Sequence, residues 1–331
     1  MEIDFVLPWV DGADPAWQAE KERHTPGPAQ DAREVRYRDW GTLRYWFRGV
    51  EKFAPWVRRV HFITWGHLPE WLNVDHPRLH IVRHEDYIPA EYLPTFSSHP
   101  IELNIHRIEG LADRFVYFND DIFLTGPVRE KDFFRNGLPC DTCRFTVART
   151  RGVGDVFAHV TLNGTGLINQ HIGRANCARA ALLKWLSPRN GLKNVLATLL
   201  LLCWPYFTGF SCTHLAVAFE KRSFEQVWEA EPWHMDATCR RHFRSIADLS
   251  QLAVRAWRMA RGEFFPSRPL GRAFFPSFST GVAPAAEAVA EGRYRMICIN
   301  DDYTEFEFEE ERRLLIASFE KILPQKCSFE R

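Results

Sequence analysis

The chain has 331 residues, and its 42 lysines and arginines balance its 42 aspartates and glutamates, so the formal net charge is zero. A chain with no global basic field is not expected to bind nucleic acid. Hydrophobic residues make up 46% and charged residues 25%, as in ordinary globular proteins. At this length we expect one large domain with insertions, or two domains.

The chain opens with a predicted buried strand over residues 3–10, followed by a turn with the sequence DGADP. Gly12 permits a positive φ or the close approach of a ligand. We therefore predict that Trp9, Asp11 and Gly12 contact a nucleotide, with Trp9 as an apolar wall. An ordinary turn between a strand and a helix is the alternative.

The start of the chain also bears on location. It lacks a basic segment, and its apolar stretch is too short for a signal peptide. These features predict a cytoplasmic protein whose eight cysteines are reduced. A cytoplasmic protein that also makes a peripheral contact with the inner membrane is the alternative.

Helices and strands alternate through the next part of the chain. The predicted elements in order are a helix over 42–57, strands over 58–66 and 78–84, a helix over 101–112 and a strand over 115–118. This alternation predicts an α/β, Rossmann-like fold with a mainly parallel sheet.

The second half of the chain is predicted to be mostly helical before it closes with a strand, a turn and an amphipathic helix. We expect three parts: residues 1–165 begin the Rossmann-like core, 166–285 form a helical insertion, and 286–331 complete the core.

A strongly apolar stretch, LKNVLATLLLLCWPYFTGF, occupies residues 192–210. Its apolar part is shorter than the ~20 residues that span a bilayer. We predict a buried helix here. The alternative is an interfacial segment that makes a peripheral contact with a membrane.

Two Asn-Asp-Asp clusters each follow a short apolar strand, at residues 119–121 and 300–302. Ligands of open α/β sheets bind outside the carboxyl ends of the strands, and carboxylates placed there suit Mg²⁺ or Mn²⁺. Such an ion would offset the repulsion between adjacent carboxylates. A plain turn is the alternative for one cluster, because Asn and Asp favour turns. The presence of two clusters favours the metal site.

Polar residues also gather before the first cluster. Glu102 and His106 share a helix face, which fits either a surface ion pair or the wall of a site. Arg107 carries the bidentate fork that suits phosphate oxygens. His214 and Arg244 lie in the helical part, where a histidine or arginine by itself more often has a packing or surface role.

These motifs together resemble the Stealth family of bacterial capsular polysaccharide phosphotransferases. An animal relative is the α/β subunit of N-acetylglucosamine-1-phosphotransferase. The resemblance covers nearly the whole chain, through four regions: 3–17, then 37–73 with 93–128, then 210–228 with 242–250, and finally 297–303.

The resemblance implies an enzyme that takes a nucleotide-sugar, such as the UDP-sugar UDP-N-acetylglucosamine, and transfers sugar 1-phosphate to a hydroxyl. The acceptor would be a growing surface polysaccharide or a glycolipid-linked saccharide. The products would be a phosphodiester and a nucleoside monophosphate, and the cofactor Mg²⁺ or Mn²⁺.

Roles follow for individual residues. By resemblance, the catalytic residues are Glu102, Arg107, His214 and Arg244. The acceptor hydroxyl needs a base near neutral pH, so we expect His214 as that base and Glu102 as a second base or its orienter. The expected substrate-binding residues are Trp9, Asp11, Gly12, Arg44, Asn119 and Asn300, and the expected metal ligands are Asp120, Asp121 and Asp301.

Two other functions remain open. A metal-dependent glycosyltransferase would use the same donors but cleave them at the anomeric carbon. A non-catalytic polysaccharide-binding protein would suit the high aromatic content.

Overall fold

The computed structural model describes residues 2–25, 37–150, 152–276, 280–300 and 308–331. The strands are β1 (Asp4–Pro8), β2 (Val60–Thr64), β3 (Leu79–Arg83), β4 (Arg114–Tyr117), β5 (Ile122–Leu124), β6 (Phe134–Arg135), β7 (Leu138–Asp141), β8 (Val217–Glu220), β9 (Phe265–Pro266), β10 (Gly271–Phe274) and β11 (Met296–Ile299). The helices are α1 (Pro15–His24), α2 (Leu43–Phe53), α3 (Ser98–Leu103), α4 (Glu130–Phe133), α5 (Val156–His171), α6 (Arg174–Trp185), α7 (Leu192–Leu201), α8 (Lys221–Ala230), α9 (Pro232–Cys239), α10 (Gln251–Ala260), α11 (Ala283–Ala290) and α12 (Phe308–Ile322).

A five-stranded sheet forms the centre of the fold, in the order β3-β2-β1-β4-β8. β1, β2, β3 and β4 are parallel, whereas β8 is antiparallel to β4. Its central strands are buried almost throughout, as expected for a sheet that is covered on both faces. The prediction of an α/β, Rossmann-like fold with a mainly parallel sheet is confirmed.

The first predicted helix is close to the observed one. α2 ends at Phe53, because residues before a proline disfavour the helical conformation and Pro55 follows closely. Four apolar residues at helical spacing share one face of α2 and are buried: Leu43, Trp46, Phe47 and Val50.

The second predicted helix, 101–112, is shorter than expected. α3 ends at Leu103, and a separate 3₁₀ turn covers Ile105–Arg107. The side chain of Asn104 donates to the carbonyl oxygen of Pro100 at 2.8 Å, which competes with the continuation of the helix. The break separates the surroundings of Arg107 from those of Glu102.

Two smaller sheets complete the strand arrangement, in the orders β10-β11-β5 and β6-β7-β9. β11 is parallel to β10 and antiparallel to β5. The chain therefore leaves the large sheet at the end of β4 and enters a second sheet at the start of β5. The first Asn-Asp-Asp cluster is the connection between them.

The prediction of a buried helix within residues 192–210 is wrong. In α7, Thr198 is the buried residue, while Leu192 and Leu200 are 74% and 75% exposed. The apolar composition of the stretch led to the prediction of a buried helix, but a helix with apolar residues on most of its surface does not reveal which face packs inward. Among the described residues, no helix is long and apolar enough to cross a membrane.

A buried ion-pair network fixes the beginning of the central strand. The carboxylate of Asp4 accepts hydrogen bonds from Arg58 Nε at 2.8 Å, from the backbone N–H of Ala112 at 2.8 Å and from His61 Nε2 at 2.9 Å. Burial acts to raise the pKa of Asp4, but the hydrogen bonds from His61, Arg58 and Ala112 outweigh it and lower this pKa to about 2. The network ties β1 to β2 and to the segment before β4.

We expect Asp4→Asn to lower the free energy of unfolding by about 2 kcal/mol at pH 7. Because the carboxyl pKa is depressed by folding, its stabilisation is present above the ordinary pKa of 3.8 and is lost as the pH falls toward about 2. Urea unfolding measures the difference in the free energy of unfolding between Asp4→Asn and the wild type. We expect this difference to be smaller at pH 3 than at pH 7. Asp113→Asn, at an exposed position, is the control; equal losses at both pH values would contradict the prediction.

Candidate active site

Strand direction brings distant parts of the chain to one edge of the large sheet. β8 runs antiparallel to β4, and its first residue, Val217, pairs with the last residue of β4, Tyr117. The segment before β8, which contains His214, therefore lies at the carboxyl end of β4. In the same way, the pairing of Cys298 with Ile122 places Asn300 beside the start of β5.

The first Asn-Asp-Asp cluster forms a tight turn between the two sheets. The backbone N–H of Ile122 donates to the carbonyl oxygen of Asn119 at 3.1 Å, which closes a turn with Asp120 and Asp121 at its centre. Asn119 is half-buried and begins this turn. The turn and the carboxylate site that were weighed as alternatives are thus compatible in one structure.

Asp121 is held from the second sheet by Asn300. Its Oδ2 accepts a hydrogen bond from Asn300 Nδ2 at 2.8 Å, and from Cys298 Sγ at 3.4 Å. The backbone N–H of Ile299 donates to the Asp121 carbonyl oxygen at 2.9 Å. Its other carboxylate oxygen, Oδ1, is buried and has no hydrogen-bond partner among the described residues. That oxygen is available to a ligand.

Asp120 lies in a different environment from its neighbour. Solvent reaches its side chain, yet surrounding protein partly desolvates it. Desolvation, then the charges of Asp121 and Asp39, raise the pKa of Asp120 to about 7, and Arg244 acts in the opposite direction. The positive charge of Arg244 is therefore not enough to keep the pKa of Asp120 at its ordinary value.

The two aspartates fit a hard divalent cation in part. An unpartnered carboxylate oxygen on Asp121 and an adjacent carboxylate with a raised pKa suit Mg²⁺ or Mn²⁺. Within the described ranges, no group of three His, Cys, Asp or Glu residues is arranged to hold a metal. The predicted third ligand, Asp301, lies outside the described residues.

His214 has an unusual backbone conformation. Its φ is 51°, in the left-handed region that few residues other than glycine adopt. Its backbone N–H donates to Cys212 Sγ at 3.3 Å. The rings of Phe157 and Phe275 lie 5.6 and 5.5 Å from the imidazole, which is half-buried between them. Such conformations concentrate at functional sites.

His214 and Cys212 change each other's titration. Burial acts to lower the pKa of His214, but its hydrogen bond with Cys212 and the charges of Cys212, Asp121 and Glu102 raise it overall. Burial acts to raise the pKa of the Cys212 thiol, but the hydrogen bond with His214 and the charge of Arg255 lower it. The imidazole is therefore a stronger base than an ordinary buried histidine.

Glu102 is buried and fixed by two donors. Tyr117 Oη donates to its Oε1 at 3.2 Å, and the backbone N–H of Gln251, the first residue of α10, donates to its Oε2 at 3.2 Å. Burial, followed by the Glu102 charge, raises the pKa of Tyr117 well above its ordinary value. The start of a helix favours a negative charge at this point.

Arg244 supplies positive charge near the turn. Its Nη2 donates to Ser98 Oγ at 3.0 Å, and its charge acts on both Asp120 and Tyr117. The adjacent Phe243 stacks on Phe96 with ring centroids 5.2 Å apart. This packing orients the loop that carries the guanidinium.

The predicted residues after β1 form a structured loop. Trp9 stacks on Phe62 at 5.6 Å, and the backbone N–H of Asp11 donates to His67 Nε2 at 2.8 Å. A Cβ on Gly12 would lie 2.1 Å from the carbonyl oxygen of Tyr37. The lack of a side chain at Gly12 therefore permits close packing against this backbone. Nucleotide contact by the loop stays a prediction.

Two predicted site residues lie apart from the turn. The guanidinium of Arg107 is exposed and lies 5.1 Å from the ring centroid of Trp228. The guanidinium of Arg44 lies 5.6 Å from the ring centroid of Trp71. In the described structure neither contacts Asp120 or Asp121. Stacking on tryptophan accounts for both placements.

The structure adds residues that the sequence did not indicate. Cys212 stands two residues before His214, and this spacing is the one local signal that could have identified it. Tyr117, Cys298 and Asp39 reach the site through pairings or folds between distant segments. No short sequence motif reports such contacts.

Comparisons with known proteins identify the family of this chain. Two family models match, Stealth protein conserved region 1 over residues 1–24 and conserved region 2 over residues 36–140. A capsular polysaccharide phosphotransferase of Streptococcus pneumoniae, WcwK, is 36% identical over 100% of this chain and 98% of the relative. This chain belongs to the Stealth family. The predicted resemblance is confirmed.

Other relatives of this Stealth protein carry similar names. The receptor polysaccharide phosphotransferase WefC of Streptococcus oralis is 34% identical over 99% of both chains. The exopolysaccharide phosphotransferase cps2G of Lactiplantibacillus plantarum is 35% identical over 100% of this chain and 96% of the relative. The prediction that this Stealth protein is an enzyme, a phosphotransferase, is confirmed.

Solved structures give weaker similarities. The galactosyltransferase LgtC has a TM-score of 0.38 at 10% identity, with 95% of each chain covered. The glycosyltransferase GlyE of Streptococcus pneumoniae has a TM-score of 0.41 at 10% identity and covers 98% of this chain and 63% of its own. Similarities this low carry no argument about the Stealth site.

We expect Cys212 to react with iodoacetamide at pH 7 at least about tenfold faster than Cys140, because the thiolate is the reactive form. The two thiols have intermediate exposure, but burial raises the pKa of Cys140 to about 11. His214→Asn, which tolerates the left-handed backbone, should slow alkylation of Cys212 only. Peptide mass spectrometry measures both rates. Equal rates in the wild type would contradict the proposed Cys212–His214 interaction.

Proposed function

We propose that this Stealth protein transfers hexose 1-phosphate, such as N-acetylglucosamine 1-phosphate, from a nucleotide-sugar to a hydroxyl of a growing surface polysaccharide. The observation that carries the proposal is the meeting of His214, Glu102 and Asp121 at one sheet edge, where Arg244 adds positive charge. The full-length relatives named as polysaccharide phosphotransferases support this class of acceptor.

The proposed reaction is a displacement at phosphorus. The acceptor oxygen attacks the phosphorus that bears the sugar, and the bond from this phosphorus to the bridging diphosphate oxygen breaks. The bond between the anomeric carbon and its oxygen stays intact. A phosphodiester forms, a nucleoside monophosphate leaves, and the acceptor proton passes to a base.

His214 is the base in this proposal. Its raised pKa makes the imidazole a better proton acceptor near neutral pH. The charges of Asp121 and Glu102 stabilise the imidazolium that forms when the proton arrives. Glu102 is held by Tyr117 and Gln251, so its contribution is to orient the site and to provide a fixed negative charge.

Asp120 and Asp121 would hold Mg²⁺ or Mn²⁺, and Asp301 is proposed as a further ligand. Asn300 occupies one oxygen of Asp121 and leaves the other, Oδ1, for the cation. When bound, the ion would supply positive charge to the diphosphate of the donor. Arg244, which is held by Ser98, would bind the phosphoryl oxygens.

The test is to identify the nucleotide released from a panel of UDP-sugars and other nucleotide-sugars with Mg²⁺ and a saccharide acceptor. We expect nucleoside monophosphate as the product. Asp121→Asn and His214→Asn should each lower turnover by about 100-fold or more, because each removes a group that acts on the transition state. Asp113→Asn should leave turnover unchanged. Release of nucleoside diphosphate would indicate a glycosyltransferase and contradict phosphotransfer.

A second experiment compares the roles of the two arginines that were predicted to be catalytic, Arg107 and Arg244. Arg244→Gln should lower kcat/KM by about 100-fold, because it removes the positive charge that acts on Asp120 and on the phosphoryl group. Arg107→Gln should stay within about twofold of the wild type, since its guanidinium stacks on Trp228. Steady-state kinetics with the accepted donor decides this point. A large loss in Arg107→Gln with a small one in Arg244→Gln would reverse the roles.

A further inference from the structure

An apolar surface that no described residue covers lies around α7. We call it the α7 surface and define it by its exposed apolar side chains: Leu182, Leu183, Leu192, Leu196, Leu199, Leu200, Trp204 and Tyr206. Leu183 is 89% exposed and Trp204 is 57% exposed. Large exposed apolar side chains that are grouped in one segment of the chain are typical of an interaction surface.

α7 is oriented with its polar side toward the protein. Thr198 Oγ donates to the carbonyl oxygen of Asn194 at 2.8 Å and accepts from the backbone N–H of Phe145 at 3.2 Å. Asn194 Nδ2 donates to the carbonyl oxygen of Asn190 at 2.8 Å. Four leucines of α7, Leu192, Leu196, Leu199 and Leu200, project outward, whereas Leu201 packs against the core. This arrangement is the reverse of a helix that faces water.

The segment that carries this surface has charged residues of one sign. Residues 156–219 contain no aspartate or glutamate, although the whole chain has 42 of them. The exposed cations of this segment are Arg179, Arg189 and Lys193. In the part of the chain that the structure describes, none of the three forms an ion pair. The segment therefore combines apolar side chains with unbalanced positive charge.

The positive charge continues into an adjacent cleft of about 490 Å³. The guanidinium groups of Arg189 and Arg135 lie 4.9 and 5.1 Å from the ring centroid of Phe265. The basic residues that line the cleft are Lys131, Arg135, Arg189, Arg268 and Arg295. The carboxylate of Asp132 lines it as well and pairs with Arg295 at 2.8 Å.

We propose that the α7 surface docks on an anionic phospholipid bilayer. Leucines would enter the acyl boundary, Trp204 and Tyr206 would lie at headgroup depth, and the cations would bind lipid phosphates. A symmetric contact with a second copy of the same surface would place cations against cations, which disfavours that occupant.

Docking would place the site near the membrane. Tyr206 precedes His214 by eight residues, so an extended chain limits the distance between their Cα atoms to roughly 28 Å. An acceptor saccharide that is carried on a lipid would then lie within reach of the base. This consequence rests on the proposed function, whereas the docking itself does not.

The test is co-sedimentation of the full chain with vesicles. We expect binding to vesicles of equal parts phosphatidylglycerol and phosphatidylcholine at least about tenfold tighter than to phosphatidylcholine alone, and weaker binding at high salt. Leu199→Glu should weaken binding by about tenfold or more, since it places a charge at the acyl boundary. Lys193→Gln should weaken it by about fivefold.

The controls are matched in exposure and lie on α12. Leu314→Glu replaces a leucine that is 46% exposed, compared with 48% for Leu199, and Lys321→Gln removes an exposed lysine. Both controls should bind vesicles like the wild type. Thermal unfolding checks that each variant folds. If Leu199→Glu does not fold, Lys193→Gln still tests the proposal.

Three results would overturn the proposal. They are absent binding of the wild type to both vesicle types, wild-type binding by the folded Leu199→Glu and Lys193→Gln variants, and a lipid-free dimer that Leu199→Glu dissociates. Sedimentation equilibrium without lipid detects the dimer. Because none of these measurements uses activity, failure of docking and failure of phosphotransfer are distinguishable.

Discussion

The hydrogen bond from Asn300 to Asp121 joins positions 179 residues apart, at the point where the chain passes from one sheet to another. Together with the backbone bond from Ile299 to Asp121, it fixes the end of β11 to the turn after β4. The antiparallel entry of β8 then brings His214 to the same edge. The site depends on this pairing, because its groups come from segments that have no local reason to meet.

Asp4 and Asp120 show how hydrogen bonding distinguishes a carboxylate that stabilises the fold from one at the candidate site. Asp4 is fully buried, yet three neighbouring groups donate to its carboxylate and its pKa falls to about 2. Asp120 has solvent access but faces other carboxylates, and its pKa rises to about 7. The first arrangement stabilises the fold. The second leaves negative charge that a bound cation can compensate.

The segment between α5 and β8 has two different surfaces. Its end carries Cys212 and His214 into the site, where a left-handed backbone and flanking aromatic rings orient the imidazole. Its outer surface on α7 turns leucines outward and keeps Thr198 inward. A single insertion in the sheet topology thereby links the proposed base to the surface that we propose for lipid.

The sequence alone determined what depends on local order. Apolar runs located the central strands, spacing located α2, and the motifs identified the Stealth family and the polar residues Asp120, Asp121, Glu102, His214 and Arg244. Tertiary structure decided what depends on long-range packing: the break after α3 that separates Arg107 from Glu102, the stacking of Arg44 on Trp71, the contribution of Cys212, and the outward face of α7. Hydrophobic periodicity reports that a helix forms, but neighbours distant in sequence determine which of its faces is buried.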